Sequence, residues 1–250
     1  MGRAGYALAV SPKKRLDVLL VERGLAESRS QAQALVLAGR VRGHAKAGEQ
    51  VDEGTELELA EGARFVSRGG EKLAHALEAF GIDVTGEDCL DVGASTGGFV
   101  DCLLQAGAAR VTALDVGYGQ LHPKLRDDPR VTVLERTNVR GLQCDELAYR
   151  PTFLTCDVSF IGLDKAFPPA LACAAPGWQA VVLVKPQFEA GPAEVGKGGV
   201  VRDPDVHRRV VDEVAAQAEA WGARVLGEAE SPVRGPKGNV EFLLHLARAS

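Results

Sequence analysis

Apolar and polar positions in the first sixty residues predict a small unit of two helices and a short sheet. Leu16, Leu19 and Leu20 recur at helical spacing within Arg15–Gly24, with charges between them and a glycine as the stop. Ser28 is placed to cap a second helix over Arg29–Ala38, with Ala32, Leu35 and Val36 facing inward; Gly39 closes it before a strand at Arg40–Arg42. The alternation Thr55-Glu56-Leu57-Glu58-Leu59 predicts a returning strand after the turn Asp52-Glu53-Gly54.

From Val66 onward the pattern becomes short apolar runs alternating with helical stretches. Cys89–Val92, Val111–Asp115, Val131–Leu134, Phe153–Asp157 and Ala180–Val184 are five predicted strands. Such alternation implies right-handed βαβ units, a largely parallel sheet covered on both faces, and ligands beyond the carboxyl ends of the strands. The uncharged run Ala166–Val184 nears membrane-spanning length, but Pro168, Pro169, Pro176, Gly177 and Gln179 break it into a helix, a turn and a strand. The expected organisation is a flexible tail at 1–12, a small α+β head at 13–61, a linker at 62–66 whose Phe65 packs on the body, and an α/β body at 67–250.

With 46% hydrophobic and 25% charged residues among 250, the composition excludes disorder, collagen and coiled coil. The five cysteines, Cys89, Cys102, Cys144, Cys156 and Cys173, are odd in number and unclustered, so neither a disulfide framework nor a zinc site is indicated. With no secretory leader in the first residues, a reducing cytoplasm is the expected location, and no metal is expected. Net charge is −5, but residues 1–46 carry nine basic and three acidic side chains, about +6, leaving the remainder near −11. A cationic head on an acidic body suits a polyanion such as RNA.

Within the body, Asp91-Val92-Gly93-Ala94-Ser95-Thr96-Gly97-Gly98-Phe99 is a strand ending in a glycine-rich turn that opens a helix over Phe99–Gln105. Its spacing is not the Gly-x-Gly-x-x-Gly of a dinucleotide site, and Asp91 suits a cationic ligand better than a pyrophosphate. Asp115, at the end of the next strand, is placed to accept hydrogen bonds from ribose hydroxyls. Asn138 is either a contact for an adenine edge or a turn former. S-adenosyl-L-methionine, a sulfonium nucleoside carrying an amino acid, satisfies these features.

Four charged residues come from separate segments: Lys72 near the start of the helix before the first strand, Asp157 and Lys185 at the ends of the fourth and fifth strands, and Glu241 before the run Phe242-Leu243-Leu244. A parallel sheet gathers strand ends, so these are candidates for chemistry at its mouth. Lys185 suits either a base for a hydroxyl proton or an ammonium that stabilises a developing oxyanion.

The head resembles the RNA-binding module named after ribosomal small-subunit protein four, through Arg15-Leu16-Asp17-Val18-Leu19-Leu20, Ser28-Arg29-Ser30-Gln31-Ala32 and Ala38-Gly39-Arg40-Val41. That resemblance implies RNA contact by Arg15, Arg29, Arg40 and Arg42. Residues 67–250 resemble the FtsJ-like methyltransferases, and nearly the whole chain resembles the TlyA family of rRNA 2'-O-methyltransferases, also called haemolysin A. The phrases that carry this are Ser67-Arg68-Gly69-Gly70-Glu71-Lys72-Leu73, Asp91 to Asp101, Cys156-Asp157-Val158-Ser159-Phe160-Ile161, Val184-Lys185-Pro186-Gln187-Phe188-Glu189, Gly196 to Asp203 and Gly235-Pro236-Lys237-Gly238-Asn239-Val240-Glu241.

The resemblance implies a Rossmann-like fold, a catalytic tetrad of Lys72, Asp157, Lys185 and Glu241, and S-adenosyl-L-methionine held by Asp91, Gly93 to Phe99, Asp115, Asn138 and Asp157. The implied substrate is cytidine ribose in ribosomal RNA, 16S, 23S or both, free or in a subunit. Arg68, with Lys197 and the pair Arg234 and Lys237 on two glycine-rich loops, is expected to contact RNA. Gly69-Gly70 departs from a bulkier expected pair and is expected to loosen the helix start. The rivals are a membrane-active cytolysin, disfavoured for want of a spanning helix and of aromatic anchors, a catalytically silent RNA-binding or assembly factor, and a nicotinamide-dependent dehydrogenase, disfavoured by the glycine spacing.

Overall fold

The computed structural model describes residues 13–26, 28–37, 41–44, 46–59, 64–235 and 237–249. The expectations placed on residues 1–12, on Ala38, Gly39 and Arg40, and on residues 61–63 lie outside this set. Contacts divide the chain into residues 1–62 and 63–250.

In the first unit, β1 (Lys13–Arg15) leads into α1 (Leu16–Glu22), followed by α2 (Arg29–Leu37) and β2 (Gln50–Asp52). Ser28 caps α2 as expected: its Oγ accepts the Gln31 N–H at 3.2 Å. Leu16, Leu19 and Leu20 meet Ala32, Val36, Val41 and Val51 in a separate small core. Two expected strands shrink, because the sheet of this unit is β1 antiparallel to β2, and Val41 and Leu59 form only an isolated bridge. Asp17 is fully buried; its carboxylate accepts from Arg15 at 2.9 and 3.0 Å and from Arg29 and Gln33 at 3.0 Å each, tying α1 to α2. The Arg15 guanidinium, with Gln33 and Arg29, holds this carboxyl well below the usual carboxylate range.

The second unit runs α3 (Gly69–Phe80), β3 (Asp88–Val92), α4 (Gly98–Gln105), β4 (Arg110–Leu114), α5 (Pro123–Arg126), β5 (Val131–Leu134), β6 (Phe153–Cys156), α6 (Leu163–Ala172), β7 (Gln179–Val184), α7 (Pro186–Glu189), α8 (Pro204–Ala220), β8 (Ala223–Glu230) and β9 (Phe242–Arg248). Its seven-stranded sheet has the order β5-β4-β3-β6-β7-β9-β8. The five predicted strands are the parallel part, and β9 is antiparallel to both β7 and β8. The pleat sends Cys89, Val111, Phe153, Val181 and Leu183 toward α3 and α4, while Leu90, Val92, Leu154, Cys156 and Val182 pack toward α6 and α8. Phe65 is buried in the first of these cores, and the Val66 N–H donates to Asp101 at 2.8 Å, so both residues belong to the body's packing.

The cysteine reading needs correction. Cys144, in a 3-10 turn over Cys144–Glu146, is disulfide-bonded to Cys173 at the end of α6. Twenty-nine residues separate them, so the pairing comes from the turn docking on α6 and leaves no spacing signature. Cys89, Cys102 and Cys156 are free and buried. Among the described residues no helix is long and apolar enough to cross a membrane.

Candidate active site

The sheet order reverses between β3 and β6, and a crevice opens there beyond the strand ends. Ladder register places the charged residues. Val92 is paired with Cys156, and the Asp157 N–H continues the ladder to the Val92 carbonyl at 2.9 Å. Val184 is paired with Phe242 on a strand running the other way, so Lys185 leaves the sheet where Glu241 enters it.

Lys72 reaches the same edge from the first turn of α3. Its start is set by close packing rather than loosened by Gly69-Gly70, which reverses that expectation. A Cβ on Gly70 would lie 2.2 Å from the Phe65 ring, and one on Gly98 would lie 2.3 Å from Ser67 Oγ and 2.8 Å from the Gly70 nitrogen. Glycine at 98 lets the starts of α3 and α4 touch, and glycine at 70 admits the Phe65 ring.

The four charges form one alternating chain. Lys72 Nζ is 2.5 Å from Glu241 Oε2 and 4.0 Å from Asp157 Oδ2, and Lys185 Nζ is 2.5 Å from Asp157 Oδ1. Lys72, Lys185 and Glu241 are 7%, 8% and 1% exposed. Each basic group faces an acidic one, so none of the four is left without an oppositely charged neighbour at this depth. Lys185 also donates to Ser159 Oγ at 3.0 Å.

Two cavities adjoin the cluster and share Gly93, Ser95, Asp157 and Ser159. The first, about 300 Å³, is lined by all four charged residues together with Asp91, Ala94, Thr96, Gly98, Phe99, Arg68 and Arg234. The second, about 500 Å³, is lined by Asp115, Asn138, Arg140, Gln120 and a mostly apolar set including Val116, Val158, Phe160 and Ile161. Gly93, with φ of +88°, passes so close to the β6 end that a Cβ would lie 2.4 Å from the Asp157 carbonyl oxygen. Gly97 faces Leu121 and Leu125 and lines neither cavity.

Asp91 is 1% exposed, and its Oδ1 accepts the Thr155 hydroxyl at 2.7 Å. Its Oδ2 is buried without a hydrogen-bond partner among the described residues, and burial pushes the carboxyl up to about 7. An open carboxylate oxygen on a cavity wall fits a cationic ligand group. Asp115 accepts from the backbone N–H groups of Ser95 at 2.8 Å and Gly117 at 2.7 Å, which fixes it at the wall of the larger cavity. Asn138 is a turn former, capping a 3-10 turn through the Arg140 N–H, and it lines that cavity.

The expected RNA contacts are dispersed. Arg15 and Arg29 are paired with the buried Asp17, Arg42 with Glu58 at 3.2 Å, and Arg234 with Glu230 at 3.5 Å. Lys197 and Lys237 line neither cavity. Asn239, which sequence reasoning passed over, stitches the two glycine-rich loops: it accepts the Val201 N–H at 3.0 Å and donates to the Gly199 carbonyl at 2.9 Å. Ser159 and Phe160 were passed over too. Phe160 is 91% exposed at the cavity rim with φ of +66°, and neither property shows in a Ser-Phe dipeptide.

A mostly parallel sheet with glycine-turn cavities at its switch point defines a Rossmann-like ligand-binding fold. Residues 65–248 match the family of FtsJ-like methyltransferases and residues 14–42 match the S4 domain. The chain is 49% identical over 240 residues to the 16S/23S rRNA (cytidine-2'-O)-methyltransferase TlyA of Mycobacterium tuberculosis, covering 94% of this chain and 90% of that one. It is 40% identical over 240 residues to hemolysin A of Brachyspira hyodysenteriae, covering 92% and 98%. A solved Streptococcus thermophilus protein, provisionally named a hemolysin, matches with a TM-score of 0.75 at 44% identity, covering 96% and 90%. The chain belongs to the FtsJ-like methyltransferases, in their TlyA branch, with an S4 domain ahead of the methyltransferase domain.

Proposed function

We propose that this protein methylates the ribose 2'-hydroxyl of a cytidine in ribosomal RNA, using S-adenosyl-L-methionine, in the cytoplasm where ribosomes are assembled. The observation that carries the reading is the cluster of buried Lys72, Lys185 and Glu241 with half-buried Asp157, on the wall of a cavity that also holds the unpaired oxygen of Asp91. The TlyA relative acts on 16S and 23S rRNA by its name, which supports ribosomal RNA as the substrate.

The cofactor supplies an electrophilic methyl carbon on a sulfonium that departs as a neutral thioether. Asp91 Oδ2 receives its ammonium group, Asp115 its ribose hydroxyls, and the apolar walls around Val158 and Ile161 its adenine. Lys185 accepts the 2'-hydroxyl proton. Asp157 holds Lys185 in place and separates it from Lys72, and Glu241 fixes Lys72 across the mouth of the cavity. Phe160 offers a stacking surface for the target base outside the helix stack. The S4 domain supplies docking on structured RNA through Arg15, Arg29, Arg40 and Arg42, and Arg68, Lys197, Arg234 and Lys237 add phosphate contacts around the cavity.

Mass mapping of ribose methylation in rRNA and ribosomal subunits treated with the protein and labelled cofactor tests this. New 2'-O-methylcytidine is expected with the wild type and none with Lys185→Ala. Methylation on a base, or full activity of Lys185→Ala, overturns the reading.

A further inference from the structure

The loop between β6 and α6 is fixed at both ends. The Asp157 N–H donates to the Val92 carbonyl at 2.9 Å, and the Leu163 N–H donates at 2.9 Å to Glu189, the last residue of α7. Between these anchors Phe160 takes a left-handed conformation that a bulky residue keeps only where its surroundings impose it, and its ring meets that of Phe188 at 5.1 Å. The turn sets Ser159 against Lys185, with Nζ donating to Oγ at 3.0 Å while Asp157 Oδ1 stands 2.5 Å from the same nitrogen.

We propose that Ser159 is a positioning residue for methyl transfer: with Asp157 it takes both N–H bonds of a neutral Lys185 amine and leaves the lone pair facing the cavity. This rests on the reading of Lys185 as the base. A primary amine held by one acceptor still turns about its Cε–Nζ bond, and its lone pair sweeps a cone. A second acceptor stops that rotation. In the transfer, the 2'-oxygen bonds to the methyl carbon, the carbon–sulfur bond breaks with its electron pair going to sulfur, and the hydroxyl proton passes to the Lys185 lone pair. The resulting ammonium keeps its bonds to Asp157 and Ser159, so no side chain has to move during the step.

Ser159→Ala, Ser159→Thr and Lys185→Ala in the full chain test this. Because Ser159 is exposed, the variants are expected to fold, which thermal melting checks. Ser159→Ala is expected to lower kcat by roughly 10- to 100-fold, the scale of a misplaced catalytic group, with KM for RNA and cofactor changed less than about twofold. Binding of S-adenosyl-L-homocysteine, measured by calorimetry, should match the wild type, and a crystal structure of the variant should show Lys185 Nζ displaced or split between positions. Ser159→Thr keeps the hydroxyl and should recover kcat to within about threefold. Unchanged kcat in Ser159→Ala, a raised KM with kcat intact, or no recovery in Ser159→Thr overturns the positioning role. A fully active Lys185→Ala sinks the underlying reading instead, whatever Ser159 does.

Discussion

Lys72 and Glu241 are 169 residues apart and share a bond of 2.5 Å between Nζ and Oε2. The lysine comes from the first turn of a helix before the sheet, the glutamate from the entry to the last strand. Closing the contact requires the whole sheet between them, so it reports on the fold as much as on the chemistry.

Removing one partner therefore carries two costs. In Lys72→Met the Glu241 carboxylate stays buried, with its other oxygen also lacking a partner among the described residues. A loss of about 3–5 kcal/mol is expected. The double variant Lys72→Met with Glu241→Leu removes both charges and should be closer to wild type in urea unfolding, while neither variant transfers methyl groups. A double variant no more stable than the single one would show that the pair is held by something other than mutual compensation.

Asp91 makes cofactor binding depend on pH near neutrality. Its folded carboxyl titrates at about 7, above the ordinary carboxylate range, so without ligand it confers stability at low pH that is lost as pH rises through about 7. A cationic ligand favours the ionised form. Affinity for S-adenosyl-L-homocysteine should then rise about tenfold per pH unit below 7 and level off above it. Calorimetry between pH 5.5 and 8.5, taken as roughly one and a half units either side of that midpoint, checks this, and Asp91→Asn should bind weakly with no such slope.

Among the residues that sequence reading located, Asp157 and Lys185 stand out because each ends an apolar strand. Asp157 follows Phe153-Leu154-Thr155-Cys156, Lys185 follows a six-residue strand, and a charge there is conspicuous because burial excludes charges elsewhere in the run. What stayed hidden depends on contacts distant in sequence. Ser159 gains its place from a left-handed residue after it and an anchor at Glu189, and Asp17 is buried only because Arg15, Arg29 and Gln33 close over it. The β1–β2 pairing rests on three-residue strands reading Lys-Lys-Arg and Gln-Val-Asp, too short and too polar for a period to show. Strand β8, after the buried Ala223, alternates exposed and half-buried positions at the sheet edge, with a register shift between Val225 and Gly227 that blurs the pattern.

Gly70→Ala should be far more damaging than an alanine in a helix usually is. The new methyl would lie 2.2 Å from the Phe65 ring, and Phe65 is itself buried. Overpacking of this kind costs about 1–3 kcal/mol. It would also push the first turn of α3, and with it Lys72, away from Glu241. A drop in melting temperature accompanied by lost methyl transfer is expected, with partial recovery of both in Gly70→Ala combined with Phe65→Leu. Wild-type stability in Gly70→Ala would mean that Phe65 and the start of α3 have room to separate.

The Cys144–Cys173 bond closes a loop that contains β6 and all of α6, so it restricts the unfolded chain across a central strand and the helix that follows it. For a loop of this length the chain-entropy contribution is about 3.5 kcal/mol. Oxidised protein should melt at a higher temperature than the same protein in excess dithiothreitol, and Cys144→Ser should melt at one temperature under both conditions. Cys173 is buried against α6 whereas Cys144 lies in an exposed turn, so serine at 144 removes the bond with little cost in packing. An oxidised protein no more stable than the reduced one would show that the docked turn is already held by the packing of Leu142 and Leu147, both buried in the same core as α6.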